Sequence, residues 1–355
     1  MSVFLIIAFL TVLIQFIPAK TDKAYRIRTL CSFIPLFLYG ALRVDFGLDY
    51  EGYESAFNVV HQFGYANVKE HQELGYKYLC SIIPTFRLLL ILQSFLACYA
   101  YYRLFYLFVP KKYSALAMVL LFLSCQTTVF FMFSGIRNAF SISLFILSYT
   151  YMAERKIIPF GVITVIAASI HTSAAFVMPL GYLIANRKVI TAKHFYFIIP
   201  FMLVFMFSSL SGLSEQVFEA VGMFTDRYDM YMEQISETVD KRGFSASSAA
   251  LLQTIFMAIL ILRLDKQERS EPIYKLGLFC LFCSMLGNLN YRLSCFFIFF
   301  SVLATVRLLS KISSDNIDRF ALLTIVMFVS LYGFWQFYAD AMIIYATYKS
   351  VIPFN

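Results

Sequence analysis

An all-α, polytopic transmembrane bundle of about twelve spans is the architecture this sequence predicts, and three observations carry that reading. The first is composition. Of 355 residues, 60% are apolar, 18% are aromatic and 14% are charged, with a mean hydropathy of +0.73, whereas soluble domains carry about 25% charge. The second is length: apolar runs of about 17 to 22 residues, enough to cross about 30 Å of hydrocarbon as a helix, recur throughout the chain. The third is texture. Leu, Ile and Phe come in blocks without period-two alternation, which favours helices that satisfy their own backbone over a barrel.

In chain order the expected spans are Val3–Ile17, Leu30–Leu42, Leu88–Phe108, Tyr113–Phe133, Asn138–Met152, Ile157–Ile170, Ser173–Ala185, Phe195–Leu210, Ala249–Leu262, Ile273–Leu289, Leu293–Val306 and Phe320–Phe337. The fourth is interrupted by Ser124-Cys125-Gln126-Thr127-Thr128, and the sixth and seventh are short. A broken or re-entrant segment fits there, because such breaks are tolerated where backbone lines a protein cavity. No basic stretch precedes the first run, so a cleavable signal peptide is not expected.

Lys20, Lys23, Arg26 and Arg28 follow that run, and placing them in the cytoplasm puts both termini on the periplasmic side. Lys111-Lys112, Arg155-Lys156, Arg187-Lys188, the stretch from Arg263 to Lys275, and Arg307, Lys311 and Arg319 then also fall inside, together the majority of the 29 basic residues. The net charge of +8 therefore calls for no nucleic-acid partner. Cys280-x-x-Cys283 lies in an apolar helix and reads as packing. The whole chain, 1–355, is expected to form one integral membrane domain.

Two exterior segments stand out. The first, 43–78, sets Asp45, Asp49, Glu51, Glu54 and Glu73 among Tyr50, Tyr53, Tyr65, Tyr76 and Tyr78. Tyrosine with carboxylate suits sugar binding, and tyrosine is equally at home at a membrane interface. The second, 211–248, repeats Val217, Val221, Phe224 and Tyr228 at three-to-four spacing, as an amphipathic helix on the outer surface would, either as a lid or as interfacial packing.

Polar residues at the outer span ends form the candidate site. Arg43, Arg137 and Arg292 fall at similar outer depth, and guanidinium grips phosphate oxygens in a way an ammonium does not. Snorkelling to headgroups is the other reading for any one of them. His171 stands at an outer end, where imidazole can take a proton from an attacking hydroxyl or serve as a structural hydrogen-bonding group. Asn288 and Asn290 flank Arg292 and add donors. Gly-rich phosphate loops, paired metal-binding histidines, GxSxG and Asp-x-Asp are missing from the sequence, so a metal-independent reaction without cofactor is expected.

The ordered motifs RVDFGLDYEGY, E-x-G-Y-x-x-L (Glu73 to Leu79), SGIRNAFSISLFILS, A-x-x-x-H-x-S-A (Ala167 to Ala174) and N-x-x-Y-R-L-S-x-F-F (Asn288 to Phe297) resemble the EpsG-like branch of Wzy-type polysaccharide polymerases. The resemblance implies a lipid-donor glycosyltransferase of the bacterial inner membrane. Such an enzyme joins undecaprenyl-pyrophosphate-linked oligosaccharide repeats into O-antigen, capsule or exopolysaccharide on the periplasmic face, alongside a flippase and a chain-length regulator. Carried over residue by residue, it marks Arg43, Asp49, Glu73, Arg137, His171 and Arg292. The expected roles are catalysis by His171, Asp49 and Arg137, and substrate binding by Arg43, Arg292, Glu73, Asp45, Tyr50, Asn288 and Asn290. An O-antigen ligase would share the donor and the arginines. A flippase or secondary transporter would share the span number but carry its charges nearer the midplane.

Overall fold

The structure is a computed structural model and describes residues 2–46, 49–64, 73–124, 135–194, 200, 243–285, 291–312, 316–344 and 349–350. It is a bundle of apolar helices in two compact units, one formed by Met1–Asn186 with Phe334–Asn355 and the other by Arg187–Gly333. The first unit contains α1 (Ser2–Ile14), α2 (Asp22–Ala41), β1 (Arg43–Val44), α3 (Tyr50–Phe63), α4 (Leu74–Ile82), α5 (Phe86–Phe108), α6 (Ser114–Ser124), α7 (Ile136–Leu147), α8 (Tyr149–Ala153), α9 (Ile157–Ile170) and α10 (Ala174–Asn186). The second contains α11 (Gly243–Arg263), α12 (Pro272–Met285) and α13 (Tyr291–Lys311). The last helix, α14 (Ile317–Ile344), runs from the second unit into the first, where β2 (Lys349–Ser350) follows.

Helix length is where structure and sequence differ. Among the described residues, Phe86–Phe108, Ser294–Lys311 and Ile317–Trp335 are long and apolar enough to cross a membrane, where the sequence predicts about twelve such spans. Shorter apolar helices occupy Val3–Ile14, Ile136–Leu147, Ile157–Ile170, Ala174–Asn186, Leu251–Arg263 and Pro272–Cys283. Local chemistry accounts for several of these lengths. The expected fifth span breaks at Ser148, whose N–H reaches both Leu144 and Phe145 carbonyls while its Oγ also donates to Phe145 O. The sixth stops where His171 turns extended. The expected Phe195–Leu210 span lies outside the described residues except for Pro200.

Capping sets two key starts. Thr21 accepts the Ala24 N–H at 3.1 Å, so α2 begins well before its apolar run. Thr85 accepts the Leu88 N–H at 3.2 Å and opens α5. These two helices pack antiparallel. At one end Tyr25 donates to Val109 O at 2.6 Å, and Lys111 pairs with Asp22 at 2.6 Å. At the other, Arg87 donates to the carbonyls of Ala41 and Arg43 at 3.0 and 2.7 Å. β1 and β2 pair antiparallel, Arg43 opposite Ser350, which brings the end of the chain to the start of the 43–78 segment.

That segment is more ordered than an exterior loop need be. Tyr50, Tyr53, Phe57 and Val60 recur at helical spacing and form the buried stripe of α3. Gly64, at φ +82°, closes the helix in a left-handed conformation that glycine adopts freely. His61 Nε2 lies 3.0 and 2.9 Å from the carbonyls of Cys80 and Ile83, so it carries the proton and ties α3 to α4. The core beneath joins Tyr50, Tyr76, Phe86, Ile136, Phe140 and Ile170. Four chain ends therefore meet there: the starts of α3, α5 and α7 and the end of α9.

Candidate functional site

On this core three sequence-distant residues converge. Glu73 precedes α4 in extended conformation, Arg137 sits in the first turn of α7, and His171 ends α9, its N–H bonded to Ala167 O. Arg137 Nη1 pairs with Glu73 Oε2, while His171 Nδ1 stands 3.3 Å from Glu73 Oε1. The second contact is at ion-pair distance but lacks the alignment of a hydrogen bond. Thr172 completes the set, donating through its backbone N–H and its Oγ1 to Glu73 Oε1, each at 3.2 Å. The side chains are largely withdrawn but still reachable, 11% exposed for Glu73, 22% for Arg137 and 19% for His171.

Electrostatics fix the charge on Glu73. Burial alone would raise its pKa, but the His171 imidazole, the Arg137 charge and the N–H groups around it outweigh burial and hold it at about 2. The N-terminus of α4 acts in the same sense, favouring an anion at Glu73. Arg137 also lies over two rings, 5.6 Å from the Tyr53 centroid and 5.9 Å from that of Tyr76. Burial raises both phenols above their ordinary value, so they remain neutral and Glu73 supplies the negative charge that faces Arg137.

The other expected site residues make different contacts or fall outside the described side chains. Arg43 is fully buried between α2 and α5, with Nη1 donating to Gly40 O at 2.6 Å and to Ser94 Oγ at 3.4 Å, and Nη2 to Gln93 Oε1 at 2.9 Å. These bonds brace α2 against α5. Tyr50 is buried, its ring packed T-shaped with that of Phe86 at 5.3 Å between centroids. Asp45 occupies an exposed turn at φ +46°, and Asp49 begins α3, close enough for its charge to bear on the Tyr53 phenol after burial and Arg137. Arg292 falls in the first turn of α13, where the backbone alone is described; Asn288, Asn290 and 211–242 lie outside the described residues.

Thr172 was not legible as a partner of Glu73. Its position beside His171 in His171-Thr172-Ser173 is the only cue, and an oxygen-bearing residue just past a helix end is too common to single out. Among the described residues, no group of three or more His, Cys, Asp or Glu could hold a metal ion.

The model of the EpsG family matches residues 26–355, taking in the Glu73, Arg137 and His171 motifs together. This chain belongs to the EpsG family. No curated protein and no solved structure matches it. Membership of EpsG, a Wzy-type polymerase family, supports a general polysaccharide-polymerase role, and with the apolar helices it supports a membrane-associated bacterial protein.

Proposed function

We propose that this EpsG-family protein polymerises lipid-pyrophosphate-linked oligosaccharide repeats on the periplasmic face of the inner membrane, with His171 as general base. The observation that carries the assignment is the convergence of Glu73, Arg137 and His171. With Nδ1 turned to Glu73, the other ring nitrogen of His171, Nε2, is the one placed to serve a substrate. In the reaction a hydroxyl oxygen of the acceptor sugar attacks the anomeric carbon of the donor chain. A new glycosidic C–O bond forms, the bond from that carbon to the pyrophosphate oxygen breaks, and lipid pyrophosphate departs. The hydroxyl proton passes to Nε2 of His171. A single displacement of this kind inverts the anomeric centre.

Glu73 takes no proton in this scheme. A carboxylate held at about 2 orients the imidazole and stabilises the imidazolium that forms, as a buried acid does beside a catalytic histidine. Arg137, fixed by Glu73 and flanked by two rings, supplies positive charge for the departing pyrophosphate. The twelve-span arrangement with both termini outside belongs to the same proposal. The pairing of β1 with β2, which sets residues 349–350 beside the start of the 43–78 segment, supports one part of it, the same side for that segment and the C-terminal residues.

The test is a gel profile of surface glycan from cells lacking the gene, with and without the intact gene returned. Loss of the long ladder with a single capped repeat retained is expected, and return of the gene should restore it. Loss of every capped repeat, with lipid-linked repeats accumulating, would assign a ligase or flippase instead. An unchanged ladder would overturn the polymerase reading.

A further inference from the structure

Gly75, in the Glu73-Leu74-Gly75-Tyr76 motif, has no part in the chemistry above, yet it sits where α4 meets α9. A Cβ built at Gly75 would collide with Ser169 Oγ and stand 2.7 Å from both the Cβ and the backbone carbonyl carbon of Ser169. The hydroxyl can rotate, though it would give up its bond to Ile166 O at 2.7 Å. The carbonyl carbon cannot. Any side chain at position 75 therefore pushes the two helices apart by about 0.5–1 Å, the distance needed to reach ordinary van der Waals contact.

The crossing lies next to the site in both chains of contact. Glu73 is two residues before Gly75; His171 and Thr172 are two and three residues after Ser169. Their contacts have no slack. Both Thr172 donors already stand 3.2 Å from Glu73 Oε1, and His171 Nδ1 stands 3.3 Å away, at the long edge of hydrogen-bonding distance. A retreat of even 0.5 Å, the lower part of that range, breaks both Thr172 hydrogen bonds and draws His171 Nδ1 further from Glu73 Oε1. Two other helical glycines differ. Gly52 in α3 and Gly161 in α9 have nothing within 4 Å of an added Cβ.

We infer that Gly75 is a positioning residue, which lets α4 approach α9 closely enough for Glu73 to hold His171. The inference rests on the polymerase reading and adds to it the element that sets the geometry of the base. Gly75→Ala, Gly52→Ala and Gly161→Ala would each be returned to cells lacking the gene, and the glycan ladder normalised to the amount of protein in the membrane. Gly75→Ala should reduce polymer per molecule about tenfold to a hundredfold, the scale of effect for a misplacement near 1 Å. The other two should stay within about twofold, since small residues are readily accepted where space is open.

A role confined to folding would change the amount of protein and leave the normalised ladder alone. Normal polymer per molecule from Gly75→Ala would overturn the positioning role. The variant Glu73→Gln separates the two readings: if it is silent while Gly75→Ala is not, the base assignment fails and not merely the part given to Gly75.

Discussion

Two charged clusters, one in each unit, follow the same electrostatic rule and differ in one respect. In the second unit Glu268 and Glu271 precede α12 while Arg307 and Lys311 lie at the end of α13, acids by a helix start and bases by a helix end. Lys311 pairs with Glu268. Arg307 Nη2 donates to Glu271 Oε1 at 2.9 Å, and Nε lies 2.7 Å from Oε2, short in distance though not aligned as a hydrogen bond. Each base there meets its own acid. At the first unit's cluster one acid, Glu73, faces both Arg137 and His171 and also receives the Thr172 donors. Matched pairs fasten helices together. A carboxylate shared between a permanent cation and a titratable ring can instead govern where a proton goes.

The comparison makes its sharpest prediction at the acids. Glu73→Gln keeps shape and one acceptor but removes the charge, and His171→Gln removes the base; each should lower the polymerisation rate by about 10²- to 10⁴-fold. Glu271→Gln and Glu268→Gln should leave polymer per molecule near normal. Ladder profiles normalised to protein amount measure all four, and equal losses from the two clusters would erase the distinction. Arg137→Lys comes next. It keeps the charge but loses the planar guanidinium, so a smaller loss of about tenfold is expected. Near-normal polymer would remove Arg137 from any role that depends on geometry.

The sequence displayed the members of the first cluster but not their meeting. Arg137 and His171 were legible because charged residues at apolar span ends are costly and conspicuous. Glu73 was one of several acids in a tyrosine-rich stretch. What selects it is contact across 64 residues to Arg137 and 99 to Thr172, which no local pattern encodes. Arg43 looked equivalent to Arg137 because both stand at span ends; only packing reveals that Gln93 and Ser94 of α5 enclose it. Tyr50, Tyr53, Phe57 and Val60 already showed the three-to-four spacing of a buried helical face.

A third prediction uses pH. Glu73 is depressed from an ordinary value of about 4.3 to about 2. The stability its charge contributes is fully present above the ordinary value and is lost as pH falls towards and through about 2. With His171→Gln introduced on both sides, so that no imidazole faces position 73, thermal melts in nanodiscs should therefore show a constant difference between the Glu73 and Glu73→Gln proteins from about pH 5 to 8, narrowing only in more acid solution. A difference that drifts steadily across the neutral range would mean that Glu73 titrates there. The shared-carboxylate account would then fail, because an acid that gains protons near neutrality cannot be a fixed orienting charge.

The smallest effect tests whether close glycine packing means the same thing in both units. Gly277 in α12 resembles Gly75: a Cβ there would stand 2.7 Å from Ala304 Cβ and 3.0 Å from Phe300 O of α13. The neighbours at that crossing are apolar side chains and backbone, and the ion pairs lie farther along, at Glu271 and Arg307. Gly277→Ala should overpack the interface and cost about 1–3 kcal/mol, and Arg307→Met should cost about 1 kcal/mol or less, as expected for a part-exposed pair. Both should appear as a lower melting temperature in nanodiscs and less protein in the membrane, with polymer per molecule unchanged. The same glycine-to-alanine change would then act on catalysis where its helix carries Glu73 and on stability alone where its helix carries a matched pair. Loss of polymer per molecule from Gly277→Ala would show that helix spacing in the second unit also bears on the reaction, and the division between the two clusters would have to be redrawn.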